Sequence, residues 1–221
     1  MERFRYHAVP AGTNVATSDE SALRRRLAAL TTMAVAEYFR DLGQSVLVIL
    51  DSVTRFALAC REIAIAAGEP PVSRGFPPSV FTDLPRLLER AGPGPCGAGD
   101  ITAIFSVLVD GDDHNEPISD AVRGILDGHV VLDRRIAEAG RYPAIDVLKS
   151  LSRTVPGCLS PEEAEAAAEA RKILALAAEM ADMVRLGAYR TGTDPATDRA
   201  LAIAPKLEDF LRQRKGEKAA L

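Results

Sequence analysis

The hydrophobic positions of the chain fall into stretches of two periods, and their order predicts helices alternating with strands. Leu23, Leu27, Leu30, Val35 and Tyr38 keep helical spacing behind a capping box at Thr17-Ser18-Asp19-Glu20, and Gly43 closes that helix. The apolar run Val46 to Leu50 follows at once. It is short, rich in β-branched residues and bounded by Gly43 and Asp51, which predicts a strand buried on both faces of a parallel sheet. Ser52 to Ala67 reads as the next helix, ended by Gly68 and the Pro70-Pro71 pair, so the two elements form a strand-helix unit of the α/β kind.

A Pro- and Gly-punctuated loop from Pro70 to Pro78 leads to a short amphipathic helix, Ser79 to Arg90, with Leu84, Leu87 and Leu88 as its apolar stripe. After a second loop, Gly92 to Gly99, the run Ile101 to Val109 predicts a second strand that ends in Asp110-Gly111-Asp112-Asp113-His114. Ile118 to Leu126 reads as helix, His129 to Leu132 as a short strand, and Asp133 to Ala139 as a helix closed by Gly140. Arg141 to Arg153 fits no regular period. Ser160-Pro161-Glu162-Glu163 combines an N-cap, a first-turn proline and a capping-box Glu, and opens a long Ala-rich helix to about Leu186. An N-cap region at Thr191 to Thr197 precedes a last helix, Ala200 to Arg214. The pattern therefore divides into an irregular leader (1–14), an α/β segment (15–153) and a small all-helical carboxyl-terminal domain (154–221).

Composition narrows the setting. At 221 residues, with 47% hydrophobic and 26% charged residues and a net charge of −4, the chain has ample core and neither the basic excess of a non-specific nucleic-acid binder nor a disordered composition. Cys60, Cys96 and Cys158 are odd in number and widely spaced, against a disulfide framework or a zinc knuckle. No apolar run approaches the roughly 20 residues that cross a bilayer, and the first 14 residues lack the apolar centre of a signal peptide.

Candidate chemistry starts at Asp51. A carboxylate at the carboxyl end of a buried parallel strand lies where such sheets bind ligands, and a hydrophobic strand ending in Asp is the Walker B pattern that holds magnesium in nucleotide hydrolases. Alone it is a weak signal, because many strands end in an Asp that only starts a turn. His129, in an apolar run, reads as a core histidine. Glu162 and Glu163 are explained by the helix start, so no acid-base pair is read from them.

Longer motifs add specificity. VLVILDSVTRF (Val46 to Phe56), PAIDVLKSLS (Pro143 to Ser152), GDDHNEPISDAVRGILD (Gly111 to Asp127), AGEPPVSRGFPPSVFTDLPRLLERAG (Ala67 to Gly92), SRTVPGC and MVRLGAYR occur in one order. Together they resemble the flagellum-specific and type III secretion ATPases, relatives of the rotary ATP synthase subunits, from about Val15 to Arg214. The resemblance implies a partial RecA-like parallel sheet flanked by helices, followed by the helical domain. It implies ATP and Mg2+ as ligands, with Asp51 as the Walker B carboxylate and Tyr142 as the ring on which adenine stacks. Arg153 would be an arginine finger reaching a neighbouring subunit's nucleotide, and Arg55 would brace a subunit interface, an ordinary salt bridge being its plain alternative. Asp112, Asp113, His114 and Glu116 would line a pore or an interface. The implied setting is a homohexameric ring in the cytoplasm, at the cytoplasmic face of an export apparatus and at most peripheral to the inner membrane. Export chaperones, a central stalk and regulator proteins would be its partners, and nucleic acid would not. A rotary synthase subunit or a hexameric RNA helicase is the alternative within the same superfamily.

One expected segment is missing. No G-x-x-x-x-G-K-[ST] occurs, and GPGPCGAG (Gly92 to Gly99) has no Lys-Thr and runs into no helix. The family's Gly-Glu-Arg segment with the water-activating carboxylate is also absent. These gaps imply a carboxyl-terminal fragment that is inactive alone or serves as a non-catalytic module binding full-length subunits or export partners. They also imply an apolar sheet edge left uncovered.

Overall fold

In the computed structural model, residues 16–17, 19–109, 111 and 116–217 are described. The leader, Ser18 of the expected capping box, and Asp110, Asp112, Asp113 and His114 of the acidic segment lie outside the described residues. The chain forms two compact units, Met1–Leu126 and Asp127–Leu221.

The first unit is α/β. Helix α1 (Ala22–Asp41) leads into strand β1 (Val46–Leu50), helix α2 (Val53–Ala66), helix α3 (Pro78–Leu88), strands β2 (Gly92–Pro93) and β3 (Asp100–Phe105), and helix α4 (Pro117–Ile125). The α1 cap is Ser21, whose hydroxyl accepts from the Arg24 N–H, and not the expected Thr17, whose carbonyl instead accepts from Glu20 N–H in a turn. The sheet order is β1-β3-β2, with β1 and β3 parallel from Val46↔Ile101 to Leu50↔Phe105 and β2 joining as a short antiparallel arm.

The core lies on one face of this sheet. Val46, Val48 and Leu50 of β1 pack with Met33 and Ala36 of α1, Val53 and Phe56 of α2, Val80, Leu84, Leu87 and Leu88 of α3, and Ile118 and Val122 of α4. β1 was expected to be buried on both faces. It alternates instead, with Leu47 44% exposed, because the helices of the core cluster share the face of Val46, Val48 and Leu50. Among the described residues no strand pairs with the outer edge of β1, so the expected open apolar edge is present.

Charged pairs hold the helices around that core. Arg25 meets Glu62 at 2.5 Å, Arg26 meets Asp83 at 3.0 Å, and Arg90 donates two hydrogen bonds, of 2.7 and 2.6 Å, to the carboxylate of Glu37. Glu69, just past the end of α2, caps α3 from a distance, accepting from the Ser79 N–H at 2.9 Å and its hydroxyl at 2.5 Å where Pro77 offers no side-chain cap. The Gly92–Gly99 stretch comprises β2 and its connection to β3. It folds onto the end of α1, with Gly99 N–H donating to Arg40 O at 2.8 Å, and a Cβ at Gly99 would stand 2.0 Å from Gln44 O.

The second unit holds strand β4 (Gly128–Leu132), helix α5 (Arg134–Glu138), strand β5 (Ile145–Ser152), and helices α6 (Val155–Cys158), α7 (Pro161–Arg185) and α8 (Pro195–Phe210). β5 overturns the expectation that Arg141 to Arg153 forms no regular element. It pairs antiparallel with β4 across an irregularity between His129 and Val131, and that break in register scrambles the period in the sequence. His129 is half-buried, not core, with Nε2 3.0 Å from the Lys149 carbonyl. The Ser160–Glu163 capping box forms as expected, and α8 begins at Asp194, whose carboxylate accepts from the N–H groups of Ala196 and Thr197. Arg171 of α7 donates to the carbonyls of Val147, Leu148 and Ser150, tying the long helix to β5.

The Arg90 hydrogen bonds hold the Glu37 carboxyl below the usual glutamate range. A carboxylate with a lowered folded-state pKa stabilises the fold above its unfolded value and loses that contribution as pH falls through the folded value. Glu37→Gln is therefore expected to cost about 1 kcal/mol at pH 7. In denaturant unfolding the gap to wild type should begin to narrow as pH falls below about 4, the ordinary Glu value, and should be gone only below the lowered folded-state value. A gap unchanged across that window would contradict the assignment.

Candidate functional site

Asp51 and Ser106 each stand one residue beyond the last registered pair of β1 and β3, Leu50↔Phe105. Parallel pairing therefore sets their side chains side by side at the carboxyl edge of the sheet. The Ser106 hydroxyl donates to Asp51 Oδ1 at 2.5 Å. The backbone is tied at the same place, Ser106 N–H donating to Leu50 O at 3.0 Å and Val53 N–H to Ser106 O at 2.9 Å. Ser52, fully buried, caps α2 by accepting from Arg55 N–H at 3.3 Å. Thr54 completes the corner, its hydroxyl accepting from Leu108 N–H at 2.9 Å and donating to Leu108 O at 3.3 Å.

These bonds explain a second departure from expectation. The second strand was read to Val109, delivering Asp110 to this edge, but β3 stops at Phe105. β1 itself ends at Leu50, so residues 106–108 find their partners in the α2 corner and not in a ladder. Ser106 is the polar neighbour of Asp51 among the described residues. Asp51 is exposed and its Oδ2 makes no hydrogen bond among the described residues, so a hard oxygen ligand is available to a divalent cation. Arg55 sits one helical turn on, half-buried on α2.

Tyr142 and Arg153 belong to the second unit and flank β5, which separates them by about 25 Å of extended chain. The Tyr142 ring is 57% exposed, and its carbonyl accepts from Gln213 N–H at 2.8 Å. It lines an open groove of about 670 Å³ with Pro143, Arg212, Gln213, Arg214 and Lys215. The stiff ring and Pro143 offer an apolar stacking face, and the three cations offer charge for an anion. Arg153 donates its backbone N–H to Asp127 O at 2.8 Å, while its guanidinium has no ion pair or hydrogen bond among the described residues. The backbone is fixed and the charge is left to reach outward.

The glycine-rich stretch lies at the other end of the sheet. It precedes the first residues of β3, and the N–H groups of Gly94, Ala98 and Gly99 bond to the carbonyls of Gly99, Pro95 and Arg40. It offers no cradle for phosphate. Among the described residues no group of three or more His, Cys, Asp or Glu side chains is arranged to hold a metal. Glu116 caps α4, accepting from Ser119 N–H at 3.3 Å. Cys60 is buried, with burial pushing its thiol up to about 11, whereas Cys96 and Cys158 are exposed. No described helix is long and apolar enough to cross a membrane.

Sequence reading missed Ser106, Thr54 and the cations Arg212, Arg214 and Lys215. Ser106 stands in the sequence only as a polar residue within the apolar run Ile101 to Val109, and no pattern marks Thr54. The cations appear in sequence only as a charged tail, and only the fold of that tail toward Tyr142 gives them a place.

An α/β unit that ends a parallel strand in an exposed carboxylate, with a capped helix behind it, has the build of a nucleotide-binding domain. The chain belongs to the ATP synthase alpha/beta family: the pattern of that family's nucleotide-binding domain matches residues 11–152. The pattern of the T3SS EscN ATPase C-terminal domain matches residues 159–221. A flagellum-specific ATP synthase of Caulobacter vibrioides is 58% identical over 212 residues, covering 94% of this chain and 48% of the relative. The assembled type III secretion ATPase EscN of enteropathogenic E. coli superposes with a TM-score of 0.89 at 47% identity, over 93% of this chain and 50% of the other. EscN in complex with its central stalk EscO gives 0.83 at 46% identity, over 93% and 49%. The chain spans about half the length of the relatives it matches.

Thr54→Val is expected to cost about 1 kcal/mol, as a lost intramolecular hydrogen bond does, and to speed amide exchange at Leu108. Hydrogen exchange followed by NMR measures this, and an unchanged Leu108 rate would contradict the role given to Thr54.

Proposed function

We propose that the chain works within an ATPase that energises protein export through a flagellar or type III secretion apparatus. The observation that carries this reading is the Asp51 corner, an exposed carboxylate fixed at the end of a parallel strand, in a chain 58% identical to a flagellum-specific ATP synthase. Asp51 takes the magnesium of the bound nucleotide, and Arg55 braces the interface between subunits. When bound, Mg2+ bridges phosphate oxygens and offsets their charge. Tyr142 stacks on adenine, with the groove beside it supporting that placement. Arg153 supplies its guanidinium to the nucleotide of a neighbouring subunit, a use supported by its exposed side chain, which has no partner among the described residues.

The chain self-associates in a hexameric ring and docks a central stalk, a reading supported by its likeness to assembled EscN and to EscN in complex with its central stalk EscO. Export chaperones and regulator proteins are further partners, and the setting is the cytoplasmic face of the export apparatus. The functional boundary falls near Arg153 and Thr154, as the extents of the two family patterns support.

A second reading is favoured by one observation: in the Gly92–Gly99 stretch the N–H groups of Gly94, Ala98 and Gly99 are spent on backbone carbonyls. In that reading the chain is a non-catalytic module that binds full-length subunits. The two are separated by adding the chain to the full-length Caulobacter vibrioides relative and measuring phosphate release with malachite green. The chain alone is expected at background. Added to the relative, it should lower activity, and its Arg153→Ala variant should lower it further, since a site deprived of an arginine finger slows by about a thousandfold or more. Equal inhibition by both forms supports the second reading. No effect of either form would overturn both, and robust magnesium-dependent turnover by the chain alone would overturn the second.

A further inference from the structure

The geometry points to Ser106 as a positioning residue that sets the Asp51 carboxylate for a hard divalent cation; this rests on the reading of Asp51 given above. Ser106 is held on both sides of its backbone, by Leu50 O and by Val53 N–H, and Thr54 pins Leu108 two residues on. Its hydroxyl therefore has little freedom, and it donates to Asp51 Oδ1. A carboxylate at an exposed strand end can exchange among χ1 rotamers and turn about its broad terminal torsion. One fixed donor on Oδ1 removes that rotation and leaves Oδ2 without a hydrogen bond among the described residues, turned to a single use. Outer-shell partners of this kind typically alter metal affinity 10- to 100-fold when removed. Only a hydroxyl donor satisfies the geometry, so threonine preserves it and alanine does not.

The test uses the 221-residue chain and Mn2+ alone, with NMR readouts of two kinds. Three-bond couplings report whether Asp51 keeps one χ1 rotamer, and paramagnetic broadening of amides around residues 51–54 and 106 reports where Mn2+ sits and how tightly. Wild type should show one rotamer and localised broadening, and Asp51→Asn should abolish the broadening. Ser106→Ala should average the Asp51 rotamer and weaken apparent Mn2+ affinity about tenfold, while Ser106→Thr restores both. Unchanged amide shifts away from the corner certify that each variant folds. If Ser106→Ala keeps either the single rotamer or the wild-type affinity, the role of Ser106 is overturned while Asp51 stands. Absent broadening in wild type, or broadening retained by Asp51→Asn, overturns the metal reading of Asp51 and with it the role of Ser106.

Discussion

The parallel pairing of β1 with β3 is the constraint on which the amino-terminal unit depends. Five residues in register, from Val46↔Ile101 to Leu50↔Phe105, place two strand ends at one edge, and the next residue of each is polar. Because the carboxyl ends of parallel strands point the same way, one apolar ladder both anchors the core and presents Asp51 beside Ser106. The helices fix the ladder from one face only, through Met33, Phe56, Leu84 and Ile118, and the ion pairs of Arg25, Arg26 and Arg90 close the helices on one another. Rigidity at the edge then comes from short-range bonds. Ser52 caps α2, Thr54 holds Leu108, and Ser106 bonds Leu50, Val53 and Asp51.

The second unit reaches a similar end by other means. Its buried residues are few, Val131, Arg141, Ile173, Leu174, Thr197 and Ala200 among them, and much of its order comes from polar ties. Arg171 ties α7 to three carbonyls of β5, Arg199 meets Glu169 at 2.8 Å between α8 and α7, and Arg141 meets Glu208 at 2.8 Å. Tyr142 and Arg153 sit at the two ends of β5, so a strand held by α7 carries an aromatic face at one end and, at the other, a guanidinium with no partner among the described residues.

Where local signals were strong, the sequence was legible. The α7 capping box with Pro161 and the start of α5 at Asp133 rest on bonds within a few residues, which a chain can encode alone, and the Val46–Leu50 strand, though its ladder partner β3 is distant, was marked by its short apolar run between Gly43 and Asp51. Two elements escaped because a distant partner decides them. β5 is a strand by virtue of β4, and the register break at His129 to Val131 hides its period. β3 ends at Phe105 because β1 ends at Leu50, although the apolar text runs on to Val109. The site was legible to the same degree. Asp51 follows from a strand and its end, but Ser106 is assigned only by pairing across 55 positions, and the cations near Tyr142 only by the fold of the tail.

The proposal turns on Asp51, held by Ser106 at the end of β1, as the carboxylate corner of a magnesium-nucleotide site for which the described residues supply no phosphate cradle. Equilibrium titration of the 221-residue chain with a fluorescent ATP analogue, with and without Mg2+, tests it most directly. The account predicts no saturable binding under either condition, because no described N–H cluster or Lys-Thr pair grips the phosphates. Saturable, magnesium-dependent binding by the chain alone would contradict it.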